Sequence, residues 1–159
     1  MKTKEVVIVS VARTPIGSFM GSLSKISAPK LGAIAIKGAL DKINLNPELI
    51  DEVFMGNVVS AGVGQAPARQ AAIFAGIPDT VPCTTINKVC SSGMKSVMLA
   101  AQSISLGDTE IVVAGGMENM SQAPHIIRGA RKGFRLGGSP KIEDSLFESL
   151  MDPYSGFFM

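Results

Sequence analysis

One cysteine occupies a position in which its thiol could act as a nucleophile. The stretch Ile86–Ser96 reads INKVCSSGMKS, and its pattern predicts a strand, a tight turn and a helix that begins at or next to Cys90. The unpaired N–H groups and positive dipole end of that helix would face the sulfur and favour its reactive thiolate form. The same N–H groups could hold the oxyanion formed when a thioester carbonyl is attacked. Small residues at 91–93 would leave room for an acyl group.

The spacing alone leaves a second interpretation of Cys90 open. Free cysteines are usually small buried apolar residues, so Cys90 could equally be a packing residue. Cys83 is predicted to belong to the core, because it lies within a strand and has no helix terminus beside it. His125, the one histidine, could in principle be the base that a cysteine nucleophile needs, but its position after Pro124 is more typical of a loop histidine partly in solvent.

The elements that must position Cys90 alternate between strands and helices. This alternation predicts an α/β layered fold with a parallel sheet. Apolar, β-branched runs predict strands at 5–12, 53–59, 81–89 and 110–114. Helical patterns occur after Ser27 with Pro29 in the first turn, at Asn46–Glu48, at 65–75, and from Cys90 to Leu106 before Gly107.

The helix predicted over 90–106 carries a single charge, on Lys95. A helix that is apolar all round is expected to be buried centrally. Residues at helical spacing that would share one of its faces are Cys90, Met94, Val97, Ala101 and Ile104.

The character of the sequence changes after Asn119. Five basic residues and no acidic one occur from Arg128 to Lys141. We therefore expect a core domain at 1–119 and the beginning of an inserted loop region at 120–159. The last residues, Gly156–Met159, form an apolar run without a polar tail, which is unusual for a natural C-terminus and indicates a truncated chain.

Composition excludes several classes of protein. The chain has 159 residues, of which 46% are apolar, and a net charge of +2. These values argue against a disordered chain and against a general nucleic-acid binder. No apolar run is long enough to predict a membrane span, and the start lacks the pattern of a secretory signal. Two cysteines do not make a disulfide framework, so we expect a cytoplasmic protein with reduced thiols.

Several motifs together resemble the thiolase family, in particular its acetyl-CoA acetyltransferase branch. The stretch Ile86–Ile104 is similar to the family's acyl-enzyme pattern, with Cys90 in the position of the nucleophile. Four further stretches that carry the resemblance are Val11–Gly17, Gly56–Val58, Gln65–Gln70 and Ala114–Ser121.

The resemblance implies a fold and a reaction. It implies a thiolase-like layered α/β/α fold with a mixed, mainly parallel sheet, of which this chain would be the N-terminal half plus the start of a loop domain. Cys90 would accept an acetyl group from acetyl-CoA, and a second acetyl-CoA would condense with it to acetoacetyl-CoA; the reverse reaction is thiolysis. Coenzyme A thioesters would be substrates, without a metal or another cofactor.

The resemblance also implies what this sequence lacks. The family's activating histidine, in a Gly-His-Pro motif, and its second cysteine, in a Cys-x-Gly-Gly motif, are both absent. The chain by itself is therefore expected to be inactive. The family implies coenzyme A contacts in the loop region, for which Lys132 and Arg135 are candidates, and an acyl-pocket methionine at Met159.

Other functions remain open at this stage. A 3-ketoacyl-CoA thiolase for longer chains is one alternative, and a non-catalytic thiolase-like domain acting in assembly or lipid binding is another. An acyl-carrier-protein condensing enzyme suits the cysteine stretch less well, and a nucleotide-binding domain is set aside because its glycine motifs are missing. The high apolar content and the family both favour a homodimer or homotetramer.

Overall fold

A three-stranded parallel sheet forms the centre of the fold in the computed structural model, which describes residues 4–159. The middle strand is β1 (Glu52–Gly56), with β2 (Cys83–Ile86) on one side and β3 (Val112–Gly116) on the other. Val53 is in register with Cys83 in one ladder and with Val113 in the other. The predicted α/β layered fold with a parallel sheet is therefore confirmed.

Three helices cover the two faces of this sheet: α1 (Ala28–Asp41), α2 (Pro67–Phe74) and α3 (Ser92–Leu106). The chain passes from β1 to β2 through α2, then returns across β1 to β3 through α3. Crossovers between parallel strands are nearly always right-handed, so two crossovers that run in opposite directions along the sheet put α2 and α3 on opposite faces. Helix α1 packs against α2, so two helices cover one face and α3 covers the other.

The main apolar core lies between the sheet and the pair α1 and α2. Val53 and Met55 of β1 point into it and are almost fully buried, while Phe54 between them points to the face of α3. Small alanines of α2 allow the two helices to pack closely on the sheet. The helix residues of this core are Ala28, Ala33, Ile36, Leu40, Ala68, Ala71 and Ala72. Among residues 4–159, no helix is both long and apolar enough to cross a membrane.

Helix α3 is buried on one side only, so the expectation of central burial is wrong for the described chain. Its buried stripe runs through Ser92, Ser96 and Ala100. Residues predicted to share a buried face are instead exposed: Met94 keeps 70% of its surface and Val97 keeps 43%. The reason is that the sheet touches only the small-residue stripe, and no other element of residues 4–159 packs over the apolar side.

The N-terminal run 5–12 is not a sheet strand, contrary to the prediction. Its backbone joins no ladder, and Val7, Ile8, Val9 and Val11 are each at least 65% exposed. Helix ends hold the segment in place: Lys4 N–H donates to Ser105 O at 3.3 Å, Ser10 Oγ to Ala39 O at 2.7 Å, and Lys42 Nζ to Val11 O at 2.6 Å. β-branched residues favour extended backbone, but pairing requires a neighbouring strand, which the described residues do not place there.

The predicted helix limits agree with the structure more closely than the strand limits. Helix α1 begins after Ser27 with a proline in its first turn, although the Ser27 side chain makes no cap bond. A single 3₁₀ turn at Pro47–Leu49 is capped by Asn46, whose Oδ1 accepts from the Glu48 N–H at 3.1 Å. Helix α3 ends at Gly107, which adopts φ +87°.

Residues after Asn119 form short elements beside the layered core. The hairpin β4 (His125–Ile127) and β5 (Ile142–Asp144) is followed by α4 (Ser145–Ser149). Arg128 forms ion pairs with Glu143, at 2.7 Å, and with Glu148. The division into domains at 1–119 and 120–159 stays a prediction.

Candidate active site

Cys90 lies in a tight turn between β2 and α3, and it is exposed. Ser92 fixes this turn from both sides: its Oγ accepts from the Lys88 N–H at 2.8 Å and donates to the Val89 carbonyl at 2.6 Å. The backbone N–H groups of Ser91 and Ser92 also donate to Lys88 and Val89 carbonyls, at 3.2 and 3.1 Å. The Cys90 thiol is therefore exposed to solvent, on a turn whose conformation is fixed by hydrogen bonds within residues 88–92.

These hydrogen bonds correct part of the expected oxyanion site. The N–H groups of Ser91 and Ser92 are used inside the turn, and the Lys95 N–H donates to Ser91 O at 2.8 Å. They are therefore not available to a bound oxyanion in this geometry. The helix that follows begins at Ser92, two residues after Cys90, rather than at Cys90 itself.

The residue directly before Cys90 has a strained backbone. Val89 adopts φ +49°, in the left-handed region that β-branched residues avoid. Such a conformation costs on the order of 1–3 kcal/mol and persists only where the surroundings impose it. The Asn87 side chain is part of those surroundings, because its Oδ1 accepts from the Val89 N–H at 3.1 Å. Backbone strain of this kind often occurs beside functional side chains, and Cys90 is the next residue along the chain.

Glycines bring the start of α3 against the ends of β1 and β3. A Cβ atom on Gly56 would lie 2.7 Å from the Ser92 carbonyl carbon and 2.8 Å from the Gly93 nitrogen. A Cβ on Gly116 would lie 3.3 Å from the Gly93 Cα atom. The helix terminus beside Cys90 can therefore approach the carboxyl edge of the sheet only because these positions carry no side chain.

Cys83 and His125 do not join Cys90. Cys83 is half-buried against the core, as predicted; its Sγ donates to the Val81 carbonyl at 3.3 Å, and burial raises the pKa of its thiol. His125 is an exposed residue of β4, and no hydrogen bond joins it to Cys90 within residues 4–159. The described part of the chain thus presents an exposed thiol without a histidine base in contact with it.

A carboxylate that was not among the predicted site residues binds three N–H groups at the same edge of the sheet. Glu118, just beyond β3, accepts from the Asn57 side-chain amide at 2.8 Å and from the N–H groups of Val58 and Val59 at 2.8 and 3.1 Å. Asn57 is 2% exposed, and its Oδ1 is a buried acceptor without a partner among the described residues. The available signal was a single carboxylate shortly after the predicted strand at 110–114.

The three residues predicted to contact the substrate, two for coenzyme A and Met159 for the acyl pocket, lie on exposed surfaces. Lys132 ends the 3₁₀ turn at Ala130–Lys132, and Arg135 follows it in an exposed loop. Neither forms an ion pair within residues 4–159. Met159 is 63% exposed, with its N–H donating to Leu150 O at 2.9 Å. No hydrogen bond in the described chain links these residues to Cys90, so their roles stay predictions.

A cavity of about 510 Å³ lies apart from Cys90. It opens between the segment Ala12–Phe19, the start of α1 and the stretch Gly116–Ser121, and its lining is mostly apolar. Within residues 4–159, no group of three or more histidine, cysteine, aspartate or glutamate side chains is arranged to hold a metal ion.

Comparison with known families identifies the family to which this chain belongs. The family model described as "Thiolase, N-terminal domain" matches residues 6–159. The chain belongs to the thiolase family. An acetyl-CoA acetyltransferase of Cupriavidus necator is 57% identical over 98% of this chain, and the mitochondrial acetyl-CoA acetyltransferase of Homo sapiens is 52% identical over 98%. The chain spans 39% and 36% of the length of these two thiolases.

Solved thiolase structures have the same fold. The Bacillus anthracis acetyl-CoA acetyltransferase superposes on 99% of this chain with a TM-score of 0.93 at 39% identity. The Acat5 thiolase of Ascaris suum, solved in complex with coenzyme A, superposes on 94% with a TM-score of 0.87 at 42% identity. This chain covers 40% and 38% of those two proteins. The thiolase-like layered fold expected from the sequence is therefore confirmed.

Proposed function

We propose that this chain supplies the acyl-accepting cysteine of an acetyl-CoA acetyltransferase. The observation that carries the proposal is the exposed thiol of Cys90 on a strained turn at the start of α3, in a member of the thiolase family. Relatives over the whole chain are named acetyl-CoA acetyltransferases, which supports acetyl-CoA as the substrate.

The proposed reaction has two halves that share one sulfur atom. The Cys90 thiolate attacks the carbonyl carbon of acetyl-CoA, the carbon–sulfur bond to coenzyme A breaks, and the coenzyme A thiolate leaves with a proton. The α-carbon of a second acetyl-CoA, after loss of a proton, then attacks the acetyl-cysteine, which releases Cys90 and forms acetoacetyl-CoA. Holding both acyl groups at one site provides proximity, and the covalent intermediate separates two easier steps.

The reaction needs a base for both proton transfers, and residues 4–159 place no histidine base beside Cys90. His125 is exposed in β4 and makes no hydrogen bond to Cys90. We therefore expect the 159-residue chain alone to show no thiolysis of acetoacetyl-CoA, and the complete gene product to show it. Thiolysis by the purified chain at the rate of the complete protein would contradict the expectation that this chain lacks the base.

The thiolysis assay also tests which acyl-chain length the enzyme prefers. Phe157 and Phe158 precede Met159, and Phe158 stacks on Phe147 with ring centroids 5.1 Å apart. Bulky rings beside an acyl pocket would restrict it to a short acyl group. We expect kcat/KM of the complete protein to be highest for acetoacetyl-CoA. A higher value for a longer 3-ketoacyl-CoA would instead identify a long-chain thiolase.

The proposal also covers the oligomeric state and the cellular location of the protein. The exposed apolar side of α3, with Met94, Val97 and Met98, supports burial against a further protein surface in the assembled enzyme. We propose a homodimer or homotetramer, and light scattering of the complete protein at micromolar concentration should give one of these masses rather than a monomer. The proposed cytoplasmic location is supported by the two free cysteines and is tested by cell fractionation.

A further inference from the structure

The carboxylate of Glu118 accepts three N–H hydrogen bonds from the segment that follows β1. Its Oε1 accepts from Asn57 Nδ2, and its Oε2 accepts from the backbone of Val58 and Val59. The donors all lie on one short segment, so the carboxylate fixes the end of β1 against the end of β3. The Met117 N–H adds a bond to Gly56 O at 2.9 Å.

The segment held by Glu118 touches the turn that carries Cys90 at two points. The Asn57 N–H donates to Ile86 O at 3.0 Å, which fixes the last residue of β2. The Asn87 side chain then spans the gap: its Nδ2 donates to Val58 O at 3.5 Å, and its Oδ1 accepts from the Val89 N–H at 3.1 Å. A continuous set of hydrogen bonds thus connects Glu118 to the residue before Cys90.

Through Val89, these hydrogen bonds affect the direction of the Cys90 thiol. Its φ of +49° is disfavoured for a β-branched residue, and the direction of the next side chain, Cys90, depends on that angle. A conformation of this kind relaxes unless its neighbours hold it. Asn87 stabilises this conformation by accepting the Val89 N–H. The Asn87 side chain in turn donates to Val58 O, in the segment that Glu118 binds.

We propose that Glu118 is a positioning residue for Cys90. It does not touch substrate; its carboxylate holds Asn57–Val59, and through Asn87 it maintains the left-handed Val89 and the direction of the thiol. The inference rests on the proposed role of Cys90 as the acyl acceptor.

The Glu118→Gln variant separates geometry from charge. A glutamine offers one oxygen where the carboxylate offers two, so at least one of the three N–H donors loses its acceptor. Removal of a negative charge from the protein gives no reason for an anionic sulfur nucleophile to react more slowly with neutral iodoacetamide. A slower reaction of Cys90 therefore reports the loss of position and not the loss of charge.

The test uses the complete gene product and follows two quantities. Iodoacetamide alkylation of Cys90, resolved by peptide mass spectrometry, should slow by about two- to tenfold in Glu118→Gln, which corresponds to one net hydrogen bond. In thiolysis, kcat should fall while the KM for coenzyme A stays unchanged. Glu110→Gln is the matched control, because Glu110 is an exposed carboxylate whose one ion pair among residues 4–159 is with Lys4. This variant should match the wild type in both quantities.

A second variant keeps the test decisive if Glu118→Gln does not fold. Asn87 is exposed, so Asn87→Ala leaves the core intact and should slow alkylation of Cys90 in the same way. Wild-type alkylation rates in both variants, or faster alkylation in Glu118→Gln, would overturn the proposal. If the wild type itself shows no thiolysis, the proposed function fails, while the alkylation comparison still decides the role of Glu118.

Discussion

The backbone of Gly56 at the end of β1 lies against the backbone of Ser92 at the start of α3, so closely that a Cβ atom on Gly56 would be 2.7 Å from the Ser92 carbonyl carbon. This contact places the turn of Cys90 at the carboxyl edge of the sheet. Ligands of open α/β sheets bind at that edge, which is consistent with a reactive thiol there.

The first prediction follows from that contact. Gly56→Ala forces backbone atoms apart, so we expect the free energy of unfolding to fall by about 1–3 kcal/mol, as for other overpacked positions. Gly38→Ala, in the interior of α1, is the matched control: among residues 4–159, the nearest atom to its Cβ outside the helix backbone would be Ala12 Cβ, at 3.6 Å. There alanine should raise stability by up to about 1 kcal/mol. Urea denaturation measures both, and equal effects would contradict the contact.

The second prediction concerns the strained residue Val89. At a positive φ glycine is favoured over alanine, so Val89→Gly should be more stable than Val89→Ala by about 1 kcal/mol. At Val97, inside α3, the order should reverse by a similar amount, because glycine is a poor helix former. Both positions are about half exposed. The free energies of unfolding of the four variants check this, and the same order at both sites would refute the strain.

The third prediction is a pH dependence at the start of the sheet. Asp51 Oδ2 accepts from the N–H groups of Glu110 and Ile111 at 2.7 and 2.9 Å, and the bonds from Ile111 and Glu110 lower the pKa of its carboxyl. Because the folded pKa lies below the ordinary 3.8, the stabilisation is present above that pH and is lost as the pH falls through the folded pKa.

The variant Asp51→Ala tests this dependence. At neutral pH it should lower the free energy of unfolding by about 1 kcal/mol, the net value of such hydrogen bonds. The difference from the wild type should shrink as the pH falls below about 4, the ordinary range for an aspartate. Denaturation curves at a series of pH values measure it, and a difference independent of pH would contradict the role of the ionised carboxylate.

Much of the fold was predictable from sequence, for reasons visible in particular residues. Proline after Ser27 and glycine at 107 mark helix ends by local backbone preference, and both limits are confirmed. The sequence could not show that the segment 5–12 joins no sheet, because pairing depends on a neighbouring strand and not on the β-branched residues of the segment itself. The exposed side of α3 was missed for the same reason, since apolarity indicates that a face should be covered without indicating what covers it.

The position of Cys90 in an exposed turn before a helix was predictable from sequence, but the residues that hold this turn in place were not. Cys90 stands out because its position before a helix is a local pattern. Glu118 does not, because it acts on Val58 from 60 residues away in sequence, and no spacing rule connects the two. The left-handed Val89 was equally hidden, since valine is among the residues that avoid that region.

The fourth prediction concerns the exposed basic loop. We expect Lys132→Ala and Arg135→Ala in the complete protein to raise the KM for coenzyme A by about two- to fivefold each, the range for one exposed ion pair, with kcat unchanged. The effect should shrink at high salt, because exposed charges are screened. Lys37→Ala, an exposed lysine of α1, is the matched control. A KM equal to the wild type in both loop variants would remove the loop from coenzyme A binding.

The most direct test of the central claim is to trap the acyl enzyme. The complete gene product is mixed with acetyl-CoA, quenched with acid and digested, and its peptides are mapped by mass spectrometry. We expect an acetyl group on Cys90 and none on Cys83, whose thiol is half-buried and has a raised pKa; Cys90→Ser should abolish both the adduct and thiolysis. An unmodified Cys90 in a protein that still turns over, or normal turnover by Cys90→Ser, would contradict the assignment.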